Sequence, residues 1–165
     1  MRTAVQPEKR MKYAFVIDHS PIGALTLVEE NGALAELRFG ASTGDAVCAQ
    51  TPLLTQAAQQ LEEYFCAKRR TFTVPLAPKG TPFQLRCWQA LCDIPYGQTR
   101  TYAQQAQAVG NPKACRAVGM ANHRNPLSIF IPCHRVVGKN GSLTGYGGGL
   151  PIKEALLNLE RMNAL

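Results

Sequence analysis

Metal-binding residues are scarce and scattered in this sequence. Its three histidines, His19, His123 and His134, lie far apart, and none stands with a cysteine at the spacing of a zinc finger. The six cysteines, Cys48, Cys66, Cys87, Cys92, Cys115 and Cys133, form no CxxC pair. We therefore expect no structural metal, no cofactor, and thiols kept reduced rather than a disulfide framework. No apolar run is long enough to span a bilayer, and no basic amphipathic anchor is evident. Residues 1–10 are polar and basic with no apolar segment behind them, which reads as a flexible tail rather than a secretory leader and points to the cytoplasm. Acidic residues are also in short supply. With 11 Asp and Glu against 18 Lys and Arg, the net charge is +7, which suits a polyanionic partner, nucleic acid ahead of membrane, although a basic balance also serves solubility.

What is present is enough for a real core: 165 residues, 45% of them hydrophobic, suffice for one generous domain or two small ones. Residues 12–17 read as a strand, and residues 24–30 and 33–39 as a hairpin closed by Asn31-Gly32. After a Gly/Ser/Thr loop, Leu54, Ala57, Ala58, Leu61, Tyr64 and Phe65 recur at helical spacing and can cover one sheet face. Residues 71–76 look like a returning strand. No constellation of chemistry appears in this half, so its default role is scaffold.

Residues 77–80, Ala-Pro-Lys-Gly, are the best linker candidate. Thr81-Pro82-Phe83-Gln84 then combines an N-cap, proline at the first helical position and a capping box, with Phe83, Cys87, Trp88 and Leu91 facing one core. Pro95-Tyr96-Gly97 breaks that helix. Thr101-Tyr102-Ala103-Gln104 starts a second, short one that Gly110 ends, and Asn111-Pro112 reads as the cap of a third over residues 112–124. Two short helices joined by a tight turn fit a helix-turn-helix, and equally an ordinary core hairpin. On the third helix Ala114, Ala117, Val118 and Ala121 make an apolar stripe, while Lys113, Arg116, Met120, His123 and Arg124 share a neighbouring face. A solvated basic face would show the same pattern; the small alanines favour close approach to another surface.

Asn125-Pro126 ends that helix, and residues 128–137 read as a buried strand that Pro132 must stop, which places Cys133 at a bend. His134 and Arg135 follow it as basic or cationic neighbours able to stabilise a thiolate. An inert buried cysteine is the alternative. Residues 138–141 form a turn, residues 145–149 a glycine-rich loop able to wall a pocket, and residues 153–161 a final helix with Ile152, Leu156 and Leu159 inward and Glu160 near its end.

The run Ile131-Pro132-Cys133-His134-Arg135-Val136-Val137 resembles the active-site signature of the O6-alkylguanine-DNA alkyltransferases. Pro95-Tyr96-Gly97 with Thr101-Tyr102, Gly110-Asn111-Pro112-Lys113, Arg116-Ala117-Val118-Gly119, Asn125-Pro126, Gly145-Tyr146 and Gly148-Gly149-Leu150 are similar to that family in order and spacing, from Gly80 onward. The resemblance implies an α+β chain in three parts: the tail 1–10, an N-terminal antiparallel sheet with a helix over 11–78 (ribonuclease H-like), and a mostly helical DNA-binding and alkyltransferase domain over 79–165. It implies transfer of an alkyl group from O6 of guanine, and O4 of thymine, in duplex DNA to Cys133, once per molecule, by a monomer, with cooperative binding along DNA left open.

Residue by residue, the resemblance assigns Cys133 as nucleophile, His134 as its base through a water, and Glu160 as support for the imidazolium. Tyr102 would press on a phosphate, bond the guanine ring and protonate the leaving group. Arg116 would replace the flipped base, with Lys113, Ala117, Asn122 and Arg124 on the same DNA-binding surface. Asn125 would be a structural hinge, and Val136, Tyr146, Gly147 and Lys153 would line the substrate pocket. Gly147 departs from the serine of many relatives. Some relatives carry a zinc in the N-terminal domain; no ligand set for it is evident here. A non-catalytic damage sensor, which lacks the cysteine, and a cysteine hydrolase built on Cys133 and His134 are the rival readings.

Overall fold

The computed structural model describes residues 11–164; the tail expected over residues 1–10 lies outside them. Strands β1 (Lys12–Ile17), β2 (Leu25–Glu30) and β3 (Ala33–Phe39) form an antiparallel meander. Asn31 and Gly32 both take positive φ, 53° and 76°, as a two-residue hairpin matched to the strand twist requires. A two-residue strand, β4 (Val47–Cys48), adds parallel to β1, giving the order β3-β2-β1-β4. This strand has no counterpart in the sequence reading, because two exposed residues carry no alternation to read.

Helix α1 (Pro52–Phe65) is capped by the Thr51 side chain, which accepts from Leu54 N. It buries Leu54, Ala57, Leu61 and Tyr64 in the cluster that holds Leu25, Leu27, Leu34 and Leu37 of the sheet, and Gln60 beside it bonds to Thr73. Each such leucine is worth about 1.5–3 kcal/mol once removed from water. The strand expected over residues 71–76 does not form. Pro75 and Pro78 lack the N–H that a ladder needs, and the segment makes only a bridge at Leu76 to Leu34, with Leu34 N donating to Pro75 O and Ala77 N to Leu34 O.

Helix α2 (Pro82–Cys92) opens on the expected capping box, with Thr81 and Gln84 each accepting the other's backbone N–H. Its Trp88 Nε1 donates to Ala121 O at 2.8 Å and so pins the helix that carries Ala121. A Cβ on Gly80 would lie 2.5 Å from the Trp88 ring, so only glycine lets the linker pass this close. Helix α3 (Tyr102–Ala108) repeats the capping box with Thr101 and Gln104. Helix α4 (Cys115–His123) starts three residues later than expected. Asn111 closes a turn with Ala114 instead of capping the helix, which suits an Asn-Pro pair. Strand β5 (Arg100–Thr101) pairs in parallel with β6 (Val136–Val137), and helix α5 (Leu150–Asn163) closes the chain. The last helix is longer at both ends than the expected 153–161, with Pro151 in its first turn.

The two halves pack together. Leu37 N of the sheet donates to Pro126 O at 2.8 Å, the Phe72 and Phe130 rings stand 4.6 Å apart, and one apolar cluster runs through both. No helix among the described residues is long and apolar enough to cross a membrane.

Candidate active site

The segment leading to Cys133 is not the strand that its composition suggests. Ser128 and Ile131 bridge each other across a tight turn, Ile131 N donates to Leu127 O, and Ile129 sits at φ 78° although 99% buried. A β-branched residue rarely accepts that conformation. Asn125 holds it there: its Nδ2 donates to Ile131 O at 2.8 Å while its Oδ1 accepts from Leu127 N at 2.9 Å. Pro132 then leads into a single 3₁₀ turn, Cys133–Arg135, and β6 follows. Because β6 pairs with β5, Val136 opposite Arg100 and Val137 opposite Thr101, the start of α3 and its Tyr102 are drawn beside the cysteine.

Cys133 is 7% exposed and lines a cavity of about 60 Å³ with Tyr102, Gly119, Asn122, Tyr146 and Gly147. Ser128 Oγ is 3.9 Å from its Sγ. Burial pushes the thiol up from its ordinary range, while the Asn125 and Ser128 side chains and the charge of Lys153 pull it back. The resting group is thus a thiol that needs a base.

His134 is fully buried, and its Nε2 faces Glu160 Oε2. Its Nδ1 has no hydrogen-bond partner among the described residues. Burial holds the imidazole below its usual range against the pull of the Glu160 carboxylate, and the charges of Arg135 and Lys153 add to the effect. A neutral ring that gives its Nε2 proton to Glu160 keeps a lone pair at Nδ1, the atom free to take a proton.

Glu160 is 1% exposed and accepts from Tyr64 Oη at 2.6 Å, Arg135 Nε at 2.7 Å and Gly97 N at 3.1 Å besides His134. Burial alone would raise its carboxyl, but the bonds and charges of His134 and Arg135 prevail and hold it at about 2. Arg135 also donates to Ile94 O at 2.6 Å. Its guanidinium is committed to the carboxylate, so the expectation that it steadies the thiolate directly is corrected. An arginine this far from water needs both acceptors, the Glu160 carboxylate for Nε and the Ile94 carbonyl for Nη1.

Lys153 is also buried, donating from Nζ to Val136 O at 2.6 Å and to Thr144 O at 2.8 Å. It ties the loop before α5 to the strand after the cysteine. Burial lowers its ordinary affinity for the proton and the nearby Cys133 charge opposes this. Tyr146 is buried, its hydroxyl in hydrogen-bond geometry with no partner among the described residues, and Tyr102 Oη lies 3.4 Å from Thr144 O and 3.2 Å from Thr144 Oγ1. A Cβ at Gly147 would meet nothing within 4 Å, so this wall of the cavity is open.

Arg116, Ala117 and Met120 of α4 are exposed outside the cavity, as are Lys113 before the helix and Arg124 after it, while His123 is exposed at the cavity's edge. Ala117 therefore belongs to the outer face and not to the apolar stripe, which is carried by Val118 and Ala121. Asn122 departs further from expectation. It is 8% exposed and exchanges two amide hydrogen bonds with Gln105, 2.7 and 2.8 Å, while still touching the cavity. Two full amide bonds to a buried partner hold it inward.

Tyr64 and Ser128 complete the site without any signal in the motifs, and Gly97, quoted there only as part of Pro95-Tyr96-Gly97, joins it through its backbone N–H. A tyrosine on the apolar face of an amphipathic helix reads as core until its hydroxyl finds a partner. Among the described residues no group of three or more His, Cys, Asp or Glu stands together as a metal site.

Comparison with known proteins places this geometry. The family model described as "6-O-methylguanine DNA methyltransferase, ribonuclease-like domain" matches residues 11–78, and the "DNA binding domain" of the same family matches residues 82–162. A constitutive methylated-DNA--protein-cysteine methyltransferase of Bacillus subtilis is 50% identical over 153 residues, covering 87% of this chain and 93% of the relative. One from Methanosarcina acetivorans is 48% identical over 151 residues, 88% and 97% of the two chains. The crystal structure of Mycobacterium tuberculosis O6-methylguanine methyltransferase superposes with a TM-score of 0.85 at 44% identity, over 94% of this chain and 96% of that one. A structure of the M. tuberculosis protein in complex with DNA gives 0.84 at 45%, over 92% and 94%. Likeness of this extent, in sequence and in backbone, means that the chain belongs to the 6-O-methylguanine DNA methyltransferase family.

Proposed function

We propose that this protein repairs DNA by moving an alkyl group from O6 of guanine, or O4 of thymine, in duplex DNA onto the sulfur of Cys133. The observation that carries the reading is a buried thiol followed by a buried imidazole whose Nε2 meets the buried Glu160 carboxylate and whose Nδ1 has no partner among the described residues. Residues 11–78 serve as scaffold and residues 79–165 carry out DNA binding and transfer, each molecule acting as a monomer.

In the reaction the thiol proton passes through one water to His134 Nδ1, and the imidazolium is stabilised by Glu160. The thiolate attacks the alkyl carbon, an S–C bond forms, the C–O bond breaks, and the departing oxygen or its ring takes a proton from the Tyr102 hydroxyl. The thioether has no hydrolytic exit, so each molecule acts once. The target atom lies inside the stack, and turning the nucleotide out costs a few kcal/mol. Arg116, exposed on α4, fills the space left behind, with Lys113 and Arg124 against phosphates and Ala117 allowing close approach. Asn125 holds the turn between helix and nucleophile. Val136, Tyr146, Gly147 and Lys153 bound the pocket; because Lys153 already occupies Val136 O, a guanine amine there must share that carbonyl's second lone pair.

The test is intact-protein mass after incubation with a duplex bearing one O6-methylguanine, with Cys133→Ser alongside. A single methyl increment on the native chain, absent from the variant, is the expected result. Selective binding to that duplex with no increment would mean a damage sensor and would overturn the reading; release of more than one equivalent of product would mean a hydrolase.

A further inference from the structure

The carboxylate behind His134 is held in part by the half of the molecule that carries no other chemistry. Tyr64 lies on α1, 96 residues from Glu160 in sequence, and donates its hydroxyl to Glu160 Oε2 at 2.6 Å, the same oxygen that faces His134 Nε2. The tyrosine is 0% exposed and its ring is fixed independently of the hydroxyl by Phe65, Phe72 and Tyr96, with centroids 5.5 to 6.1 Å away. Core packing therefore accounts for an aromatic ring at this position but not for its oxygen. A phenylalanine would fill the same space and leave Glu160 one donor short.

We propose that Tyr64 is a positioning residue for the transfer: its hydroxyl orients the Glu160 carboxylate and limits how strongly that carboxylate holds the proton on His134. The proposal rests on the reading of Cys133 and His134 as the reacting pair, and it gives the N-terminal half a part in the chemistry. An oxygen that already accepts one hydrogen bond is a weaker acceptor for a second. With the hydroxyl in place, the His134 imidazolium is stabilised less, and the ring stays neutral at Nδ1 down to lower pH. Burial drives the Tyr64 hydroxyl far above its ordinary range and the charge of Glu160 adds to this, so it remains a donor throughout. The other charged or titratable groups facing this pair are Arg135 and Cys133 on the 3₁₀ turn, Lys153 on α5, Tyr96 in the loop after α2, and Tyr146 in the loop before α5.

The test is the single-turnover rate of methyl transfer as a function of pH for the native chain, Tyr64→Phe, and a chain with 3-fluorotyrosine at position 64. Loss of the donor should move the acid limb of the profile upward by about half a pH unit, a roughly threefold slower reaction below the limb. Fluorotyrosine is a stronger donor and should move the limb downward. Opposite displacements support the proposal, since a packing defect has no reason to change sign. Superposable profiles, or both limbs moving the same way, overturn it. If Tyr64→Phe does not fold, the fluorotyrosine chain decides alone: a downward shift supports the role and an unchanged limb overturns it. Absence of any mass gain on the native chain would instead defeat the proposed function itself, so the two failures are told apart.

Discussion

Two groups of side chains flank Cys133, and they are built in opposite ways. Around Glu160, the partners Tyr64, Gly97 and the adjacent pair His134 and Arg135 come from three widely separated stretches, and the tyrosine, histidine and arginine are each buried to more than nine-tenths. On α4, by contrast, Arg116, Ala117, Met120, His123 and Arg124 come from one short segment and stand in solvent, Met120 at 57% exposure. Burial strengthens hydrogen bonds and makes each missing partner costly. Exposure leaves long side chains free to meet a partner and makes each contact weak and sensitive to salt. Under the proposed function, a group that holds one proton in place suits the first environment, and a surface that accepts any duplex suits the second.

That contrast is open to attack at several points, and the largest effect belongs to the buried side. Glu160→Gln keeps the shape of the carboxylate but not its charge. Transfer to Cys133 should slow by about a hundredfold or more, read as single-turnover rate with thermal unfolding measured in parallel. A rate within a few fold of native would show that His134 acts without it. On the exposed side, Arg116→Ala should weaken transfer from duplex DNA by about ten- to a hundredfold while leaving transfer from a free O6-benzylguanine base nearly intact, since only the duplex needs a gap filled. Equal losses on both substrates would erase the distinction between the two regions.

Acid should then separate them by stability. His134 is held below its ordinary range when folded, so the unfolded chain binds that proton first and stability declines as pH falls through the mid-6 region. Glu160, at about 2 against an ordinary 4.5, contributes stability that is present above about 4.5 and lost as pH falls towards 2. Denaturant unfolding across this range should show both losses, with about 3 kcal/mol from Glu160, and Arg116→Ala should leave the curve unmoved. The smallest effect is electrostatic. Neutralising Lys113 or Arg124 should lower the slope of log binding constant against log salt concentration by about one each, with no change in the transfer rate at saturating DNA.

The same contrast explains what could be read from the amino acids. Elements set by neighbouring residues were legible: the Asn31-Gly32 hairpin, the capping boxes at Thr81 and Thr101, and the cationic face of α4 each depend on residues within a turn or two. What failed depends on distant partners. Ser-Ile-Phe-Ile over residues 128–131 has the composition of a strand, yet Asn125 folds it into a turn with Ile129 left-handed. Asn122 reads as a surface residue until Gln105, on another helix, takes both ends of its amide. Tyr64 is one apolar residue among several on α1 until α5 brings Glu160 to its hydroxyl. The cysteine, its histidine and the glutamate paired with that histidine were named from the resemblance; the other three donors that converge on the glutamate, Tyr64, Gly97 and Arg135, belong to the folded state alone.

Glu160 also has a meaning in time. It lies in the last helix, and the tyrosine that meets it lies in the first. Pairings of such long separation carry a large loop-closure cost. Under the proposed function, a chain whose first and last helices have not met lacks the carboxylate behind His134, so the cluster would double as a completion check, with Cys133 armed only once both ends of the fold are in place.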